Sequence, residues 1–226
     1  MPKIKIDEDD EIVSFSIEET DALDKYFKGT NAETAYMLGR YCGLRINECY
    51  GLLWSNVDFD NDCIHIEQQM QYQEGLITLS QLKTINAKRT LYMNSKLKAY
   101  LLTTKEAIDK AATTIPHIRK QNQTMITDTN GKVISSLLLV NSLANGKIQS
   151  VNSMKYHSRK IKETLRIDFK YHYLRHTYGT RLADQNMPSH LLCNQMGHAN
   201  SKVTEKYYIA VSKHGMDIIK DKIEGI

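Results

Sequence analysis

The chain has 226 residues, of which 41% are hydrophobic and 25% charged, an ordinary balance for one large globular domain or two small ones. Its net charge is +4, but residues 1–28 hold four lysines against nine acidic residues, so they carry −5 and leave +9 on residues 29–226, an excess that suits phosphate binding. No apolar run is long enough to span a bilayer and no signal region opens the chain, which argues against a membrane protein and predicts a cytoplasmic one.

The acidic residues at the start form a lead-in over residues 1–12, and the predicted folded domain covers residues 13–226. Ser16 and Glu19 have the spacing of a capping box, which predicts that a helix begins there. Apolar residues then recur at helical spacing as far as Gly43, which is a predicted helix C-cap. A second helix is predicted directly after it.

The composition changes between residues 63 and 93, where short alternating runs predict a small antiparallel sheet of about three strands. Residues 95–112 return to helical spacing. Further along, Asn130-Gly131 is typical of the turn of a short hairpin. The pattern as a whole predicts an α+β fold that is mostly helical.

Helices dominate again from Ser150 onward. Residues 189–196 form a predicted helix that Gly197 ends, and the short helix after it carries Tyr207. The tail from residue 216 to residue 223 has the spacing of a C-terminal amphipathic helix. The four cysteines form no C-x-x-C pair, which favours reduced, packed thiols over disulfides.

Six polar residues stand in distinctive local settings, and they are Arg45, Lys83, His172, Arg175, His198 and Tyr207. The first lies in Gly-Leu-Arg-x-x-Glu, the second in Leu-Lys-Thr, the next two in His-x-x-Arg-His, and the last two in Gly-His with a tyrosine nine residues later. Spacings of three and four put His172, Arg175 and His176 on one helix face. Together these settings resemble the tyrosine recombinase family, also called the phage integrase family, over roughly residues 17 to 210.

The resemblance implies a mostly helical catalytic domain of the kind found in integrases of phages and conjugative transposons. It implies that Lys83 is the general acid for the leaving 5′ oxygen and that His172 is a general base or orients the phosphate. It also implies that His198 donates to a nonbridging oxygen and that Tyr207 forms a covalent 3′-phosphotyrosine. Glu48 is expected to support the site through Arg45, and His176 is expected to support it through a hydrogen bond.

The chemistry is consistent with these roles. Two guanidinium groups suit a phosphate because they stay charged and donate paired hydrogen bonds. A tyrosine, with a pKa of about 10, needs neighbouring cations or a base to act as a nucleophile at neutral pH. The phosphotyrosine would retain the energy of the phosphodiester, so no metal, ATP or other cofactor is expected. The expected partner is double-stranded DNA, bound by a homotetramer on paired sites, with a monomer possible without DNA.

Several alternatives stay open at individual positions. Arg45 has the spacing of a surface pair with Glu48, and Lys88 competes with Lys83 for the same role. Tyr208 is a direct rival of Tyr207, although the nine-residue separation from the histidine favours Tyr207. The family often has Asp, Ser and His at three positions where this chain has other residues, namely Asn56, Ala87 and Ile209.

Two other functions compete with recombination. Residues 189–208 have the length and pattern of a helix-turn-helix, which predicts a DNA-binding module without enzymatic activity. A type IB topoisomerase shares the tyrosine chemistry. The family usually carries a separate helical domain before the catalytic one, and the chain begins almost at the catalytic domain, so we expect weak DNA affinity from this chain alone.

Overall fold

The computed structural model describes residues 12–73, 76–82, 87–198 and 202–210. These residues are mostly helical, as the sequence predicts, and they carry two small β-sheets. The helices, in chain order, are α1 (Ile17–Phe27), α2 (Glu33–Cys42), α3 (Ile46–Tyr50), α4 (Ser95–Thr114), α5 (Pro116–Asn122), α6 (Val151–Leu165), α7 (Tyr171–Asp184), α8 (Ser189–Met196) and α9 (residues 202–210).

The two sheets lie in the middle of the chain. The strands are β1 (Val57–Asp58), β2 (Cys63–Ile66), β3 (Gln68–Gln73), β4 (Leu76–Gln81), β5 (Arg89–Tyr92), β6 (Met125–Thr127) and β7 (Val133–Ser135). The first sheet has the order β1-β2-β5 and is antiparallel throughout, which confirms the prediction of a small antiparallel sheet, although β1 lies before the predicted range. The second has the order β3-β4-β6-β7 and is antiparallel except where β4 runs parallel to β6.

The second sheet is the main difference from the prediction. β3 and β4 do not join the first sheet but pair with each other. β3 is rich in glutamine and has no β-branched residue, so its strand signal is weak. Met70 and Leu79 lie opposite each other in the register and are both 3% exposed. This one apolar pair fixes which face of the β3–β4 hairpin is buried. The predicted turn at Asn130-Gly131 joins β6 and β7, with a left-handed Gly131.

The predicted helix ends are confirmed at the positions that matter for the site. The Ser16 hydroxyl accepts the Glu19 N–H at 3.1 Å, and the Glu19 carboxylate accepts the Ser16 N–H at 2.9 Å, so α1 begins with a capping box. Gly43 ends α2 in the left-handed conformation, with a φ of 60°. A Cβ at Gly43 would lie 2.5 Å from the Tyr178 ring, so α2 can turn against α7 only with glycine here.

The main core lies around α2, whose buried residues include Tyr36 and Leu38, and α7 packs along that helix. A smaller apolar cluster, formed by Ala183, Leu192, Met196 and Tyr207, joins α7, α8 and α9. The two clusters bring the end of α2, the start of α3, the middle of α7 and the end of α8 together. This junction is where most of the predicted site residues lie.

Parts of the prediction fall on residues outside the described ranges. They are Lys83, most of the acidic lead-in and the amphipathic tail over residues 216–223. Within the described ranges, no helix has the length and apolar character needed to cross a bilayer.

Candidate active site

Arg45 stands at the N-cap of α3, in extended backbone conformation immediately after the turn that Gly43 makes. The Glu48 carboxylate accepts the Arg45 backbone N–H at 3.0 Å and a guanidinium N–H of the same residue at 2.8 Å. Another guanidinium N–H of Arg45 donates to the Gly197 carbonyl at 3.1 Å. Arg45 is therefore bound on two sides, while 38% of its side chain stays exposed.

Glu48 is the buried anion of the site, with 2% of its side chain exposed. Besides Arg45, it pairs with Arg89 of β5, whose two terminal nitrogens lie 2.8 and 3.0 Å from the two carboxylate oxygens. This bidentate pair is the strongest geometry available to the two groups. Burial raises the pKa of Glu48, but hydrogen bonds and charge from Arg89 and Arg45 more than offset that effect and lower it to about 2.

Arg89 is the site residue that the sequence prediction missed. Its Nε donates to the Gln195 carbonyl at 2.9 Å, so one side chain links β5, α3 and the end of α8. The side chain is 5% exposed. The available signal was its position two residues before Leu91, since alternate strand residues share a face and Leu91 is buried.

Arg175 lies in the interior of α7 and is 1% exposed. Its guanidinium donates to the Gly43 carbonyl at 2.8 Å and also to the Met196 carbonyl. Both acceptors belong to helix ends that lack an intrahelical partner, which a cation satisfies well. Burial, followed by the charges of Arg45 and Arg89, lowers the pKa of Arg175 to about 9, so it remains charged at neutral pH.

The two histidines of α7 differ in exposure. His172 is exposed, whereas His176 is buried, and their ring centroids are 4.5 Å apart. The His176 ring also meets the Tyr207 ring edge to face, with centroids 6.1 Å apart. The predicted face of α7 therefore runs from the solvent at His172 to the buried tyrosine at Tyr207.

His198 follows the left-handed Gly197 at the end of α8. Its Nδ1 lies 2.9 Å from the Thr204 hydroxyl, and its ring stacks on Tyr207 with centroids 6.0 Å apart. Burial lowers the pKa of His198, and the charges of Arg175, Arg45, Arg89 and His172 lower it further, to about 3. His198 is therefore a neutral imidazole at physiological pH.

Tyr207 and Tyr208 point to different places. Tyr207 is 2% exposed and lies against Gly179 of α7, where an added Cβ would be 2.6 Å from the tyrosine ring. Burial raises its pKa, while the charges of Arg175 and Arg45 lower it, and the net shift is upward. The Tyr208 hydroxyl instead donates to the Met187 carbonyl. Of the two tyrosines, the structure brings Tyr207 to the histidines and arginines.

An open cleft of about 590 Å³ lies in front of this group. Arg45, His172 and Gly197 line it on one side. Leu82 and Ala87, the described residues that flank Lys83, line it as well. Cationic and hydrogen-bonding groups thus face an open space that admits an anionic ligand. Tyr207 is buried against His176 and His198.

Comparison with known proteins identifies relatives of the chain along most of its length. A family model described as the phage integrase family matches residues 8–214. A tyrosine recombinase XerC-like protein of Caldanaerobacter subterraneus subsp. tengcongensis is 27% identical over 212 residues, which cover 89% of this chain and 51% of that protein. The chain thus spans about half the length of the curated relative that it matches.

Solved structures share the fold. The Tn1549 transposon integrase in complex with a circular intermediate DNA matches with a TM-score of 0.70 and 21% identity, over 94% of this chain and 68% of that one. XerA recombinase matches with a TM-score of 0.60 and 16% identity, over 88% and 61% of the chains. XerH bound to its difH substrate matches with a TM-score of 0.56 and 16% identity, over 88% and 51%.

The pH dependence of stability tests the charge state of Glu48. A glutamate whose folded pKa is about 2, against a usual 4.5, stabilises the fold above pH 4.5, and that contribution is lost as the pH falls toward 2. We expect Glu48→Gln to lower the free energy of unfolding at pH 7 by about 3 kcal/mol, and the difference from the native protein to shrink below pH 4.5. Urea unfolding between pH 7 and pH 2.5 measures the free energy of unfolding of the variant and of the native protein.

The control is Glu163→Gln, because Glu163 pairs with Lys160 on the surface of α6. Its unfolding free energy should follow the native curve at every pH. A Glu48→Gln deficit that stays constant from pH 7 to pH 2.5 would contradict the assigned charge state.

Proposed function

Because the chain belongs to the phage integrase family, we propose that it is a site-specific recombinase that cleaves and rejoins double-stranded DNA through a 3′-phosphotyrosine. One observation carries the proposal. Two arginines, two histidines and a tyrosine from distant parts of the chain meet beside one cleft, namely Arg45, Arg175, His172, His198 and Tyr207. A phenol nucleophile with two guanidinium groups suits attack on a phosphodiester.

The arginines are positioned before any DNA arrives. Arg45 is bound by Glu48 and the Gly197 carbonyl, and Arg175 by the carbonyls of Gly43 and Met196. Fixed donors stabilise developing charge far better than mobile ones. We assign both guanidinium groups to the nonbridging oxygens of the scissile phosphate. Arg45 lines the cleft, whereas Arg175 is 1% exposed and would reach a phosphate only after a local rearrangement uncovers it.

Tyr207 is the proposed nucleophile. In the free protein its phenol is buried and its pKa is raised, so it is held protonated. The hydroxyl must reach a phosphate in the cleft, and α9 therefore has to shift when DNA binds. Loss of the phenol proton to His172 or to water, beside the charges of Arg175 and Arg45, would then generate the attacking phenolate.

His198 is suited to donating a hydrogen bond rather than to carrying a charge, because its pKa is about 3. The Thr204 hydroxyl, donating to Nδ1, would leave the proton on Nε2. That N–H would be available for a nonbridging oxygen. His176, buried between His172 and Tyr207, would orient the two reacting groups.

Lys83 is the proposed general acid for the leaving 5′ oxygen. The support is its Leu-Lys-Thr setting and its position next to Leu82, which lines the cleft. A protonated lysine side chain can supply the proton that an alkoxide leaving group needs. Lys88 remains the alternative candidate for the general acid.

The covalent intermediate accounts for rejoining without a metal or ATP. The phosphotyrosine would retain the energy of the phosphodiester, and the 5′ hydroxyl of a second strand would attack it. Complete recombination would cleave all four strands of two DNA duplexes, with one tyrosine for each strand, which is the basis for proposing a homotetramer on paired sites. The Tn1549 integrase and XerH are both described in complex with DNA.

Trapping the intermediate tests the proposal. A pool of randomised duplexes carrying a nick beside the cleavage position releases a short fragment after attack and so prevents religation. We expect a detergent-stable protein–DNA adduct with the native chain, and none with Tyr207→Phe, because only the phenol oxygen at that position can form the ester. Peptide mapping of the adduct identifies the modified tyrosine.

Tyr208→Phe is the matched control and should retain the adduct, since the Tyr208 hydroxyl is bonded to Met187 away from the cleft. An adduct that persists in a folded Tyr207→Phe protein would contradict the assignment. Salt-sensitive DNA binding with no adduct would favour the non-enzymatic helix-turn-helix module, and relaxation of supercoiled DNA at no preferred site would favour a topoisomerase.

Replacing Arg45 tests the preorganised arginine. Arg45→Lys keeps the positive charge but loses the planar pair of donors, so we expect the rate of adduct formation to fall on the order of a hundredfold. DNA affinity should change far less, because the net charge is unchanged. Arg159→Lys, on the exposed face of α6, is the control and should react at the native rate. Equal rates for the two variants would remove Arg45 from the mechanism.

A further inference from the structure

The face of the first sheet that points away from the main core carries three potential metal ligands of different types, of which Cys63 is buried and the other two are half-buried. Asp58 of β1 lies directly opposite Cys63 of β2, and His65 follows two residues later on the same strand. Opposite residues share a face, as do alternate residues of one strand. The opposite face of the sheet carries Ile64 and Ile66, which pack in the main core. The three ligand groups therefore form one cluster outside the cleft.

The distances within the cluster suit a small cation. One ligand atom from each of Asp58, Cys63 and His65 lies within 4.8 Å of the other two. The Cys63 Sγ and the His65 Nε2 are 3.7 Å apart. Tetrahedral zinc with ordinary Zn–S and Zn–N bonds holds such a pair about 3.6 Å apart. The Cys63–His65 edge of the cluster already has the required length, and a carboxylate oxygen of Asp58 lies within 4.8 Å of both other ligand atoms.

Hydrogen bonds to neighbouring groups orient two of the three potential ligands, His65 and Asp58. The His65 Nδ1 lies 3.1 Å from the Thr90 hydroxyl on β5, which turns Nε2 toward the thiol. A histidine that binds metal through one nitrogen commonly has the other hydrogen-bonded in this way. One Asp58 oxygen accepts the backbone N–H groups of Asp60 and Asn61 at 3.0 and 2.9 Å. The carboxylate is therefore held at the edge of the cluster.

We propose that Asp58, Cys63 and His65 form a zinc site with three protein ligands and a water molecule in the fourth position. Thiolate, imidazole and carboxylate together are a ligand set typical of Zn²⁺ rather than of Mg²⁺ or Ca²⁺, which prefer oxygen ligands. Asp62, which pairs with Lys98, adds negative charge next to Cys63. The Cys63 proton passes to solvent as the Zn–S bond forms.

The site would act as a clamp on the sheet. Its ligands come from β1 and β2, and Thr90 extends the contact to β5. Thr90 is the neighbour of Arg89, whose side chain leaves the other face of the strand to bind Glu48. A metal bound only in the folded state raises the stability of the strands that carry it. The clamp would thus stabilise the strand that supports the cleft without taking part in cleavage.

Cobalt substitution tests the site on the full chain. Metal-free protein is titrated with Co²⁺, which reports a bound thiolate through a sulfur-to-cobalt absorption band. We expect one equivalent to bind with this band, and one equivalent of Zn²⁺ to displace it. Cys63→Ser should abolish the band, and His65→Gln and Asp58→Asn should each lower the affinity at least tenfold. Thr90→Val should weaken binding about tenfold.

Cys193→Ser is the control for a thiol outside the cluster and should retain the native band. Circular dichroism verifies that each variant is folded, and His65 and Asp58 are only half-buried, so their replacements leave the core intact. Absence of the band in the native chain would overturn the proposal. So would a band that persists in Cys63→Ser, or a native affinity in both His65→Gln and Asp58→Asn.

Discussion

The buried carboxylate of Glu48 is the constraint on which the rest of the site depends. A carboxylate with 2% of its surface exposed is stable as an anion only if cations satisfy both of its oxygens. Arg89 and Arg45 do so, and each also donates to a carbonyl near the end of α8, at Gln195 and Gly197. The same charge thereby connects α3, β5 and α8. The left-handed Gly197 lies against the Arg89 side chain, and His198 follows it directly.

Arg175 forms a second connection between the same elements, from Gly43 to Met196. The burial that these connections require also sets the charge state of each reactive group. His198 becomes neutral, Tyr207 stays protonated, and the arginines stay charged. The protein thus holds cationic groups beside the cleft and keeps the phenol of Tyr207, the proposed nucleophile, buried. A phosphate in the cleft would by its own charge disfavour the phenolate, so deprotonation of Tyr207 would depend on the charges of Arg175 and Arg45 and on a proton acceptor.

Much of this arrangement could be predicted from the sequence, because the residues that determine it lie within one or two helical turns of each other. The Gly43 cap places Arg45 and Glu48, and the three- and four-residue spacings place His172, Arg175 and His176 on one face of α7. The choice of Tyr207 over Tyr208 depended on a spacing, and the structure brings Tyr207 to the cluster through the packing of α9 on Gly179.

Features set by distant contacts were harder to predict. Arg89 is 41 residues from Glu48 in the chain. Its position two residues before Leu91 indicates a buried side chain but does not indicate that the partner lies on α3. The two-sheet arrangement depends on β4 meeting β6 across a long insertion that contains α4 and α5. The cluster of Asp58, Cys63 and His65 could not be predicted for the same reason, because Asp58 and His65 become neighbours only through the register of β1 and β2. Pairing across strands is not encoded in any short window.

A double-mutant cycle between Glu48 and Arg89 tests most directly the claim that their ion pair assembles the site. The variants are Glu48→Leu, Arg89→Met and the combination, each measured for its free energy of unfolding at pH 7. Each single change leaves a buried charge without its main partner, and we predict a loss of about 3 kcal/mol or more. The double variant should lose much less than the sum, with a coupling energy of about 2 kcal/mol or more. Losses that add to within about 0.5 kcal/mol would contradict the account.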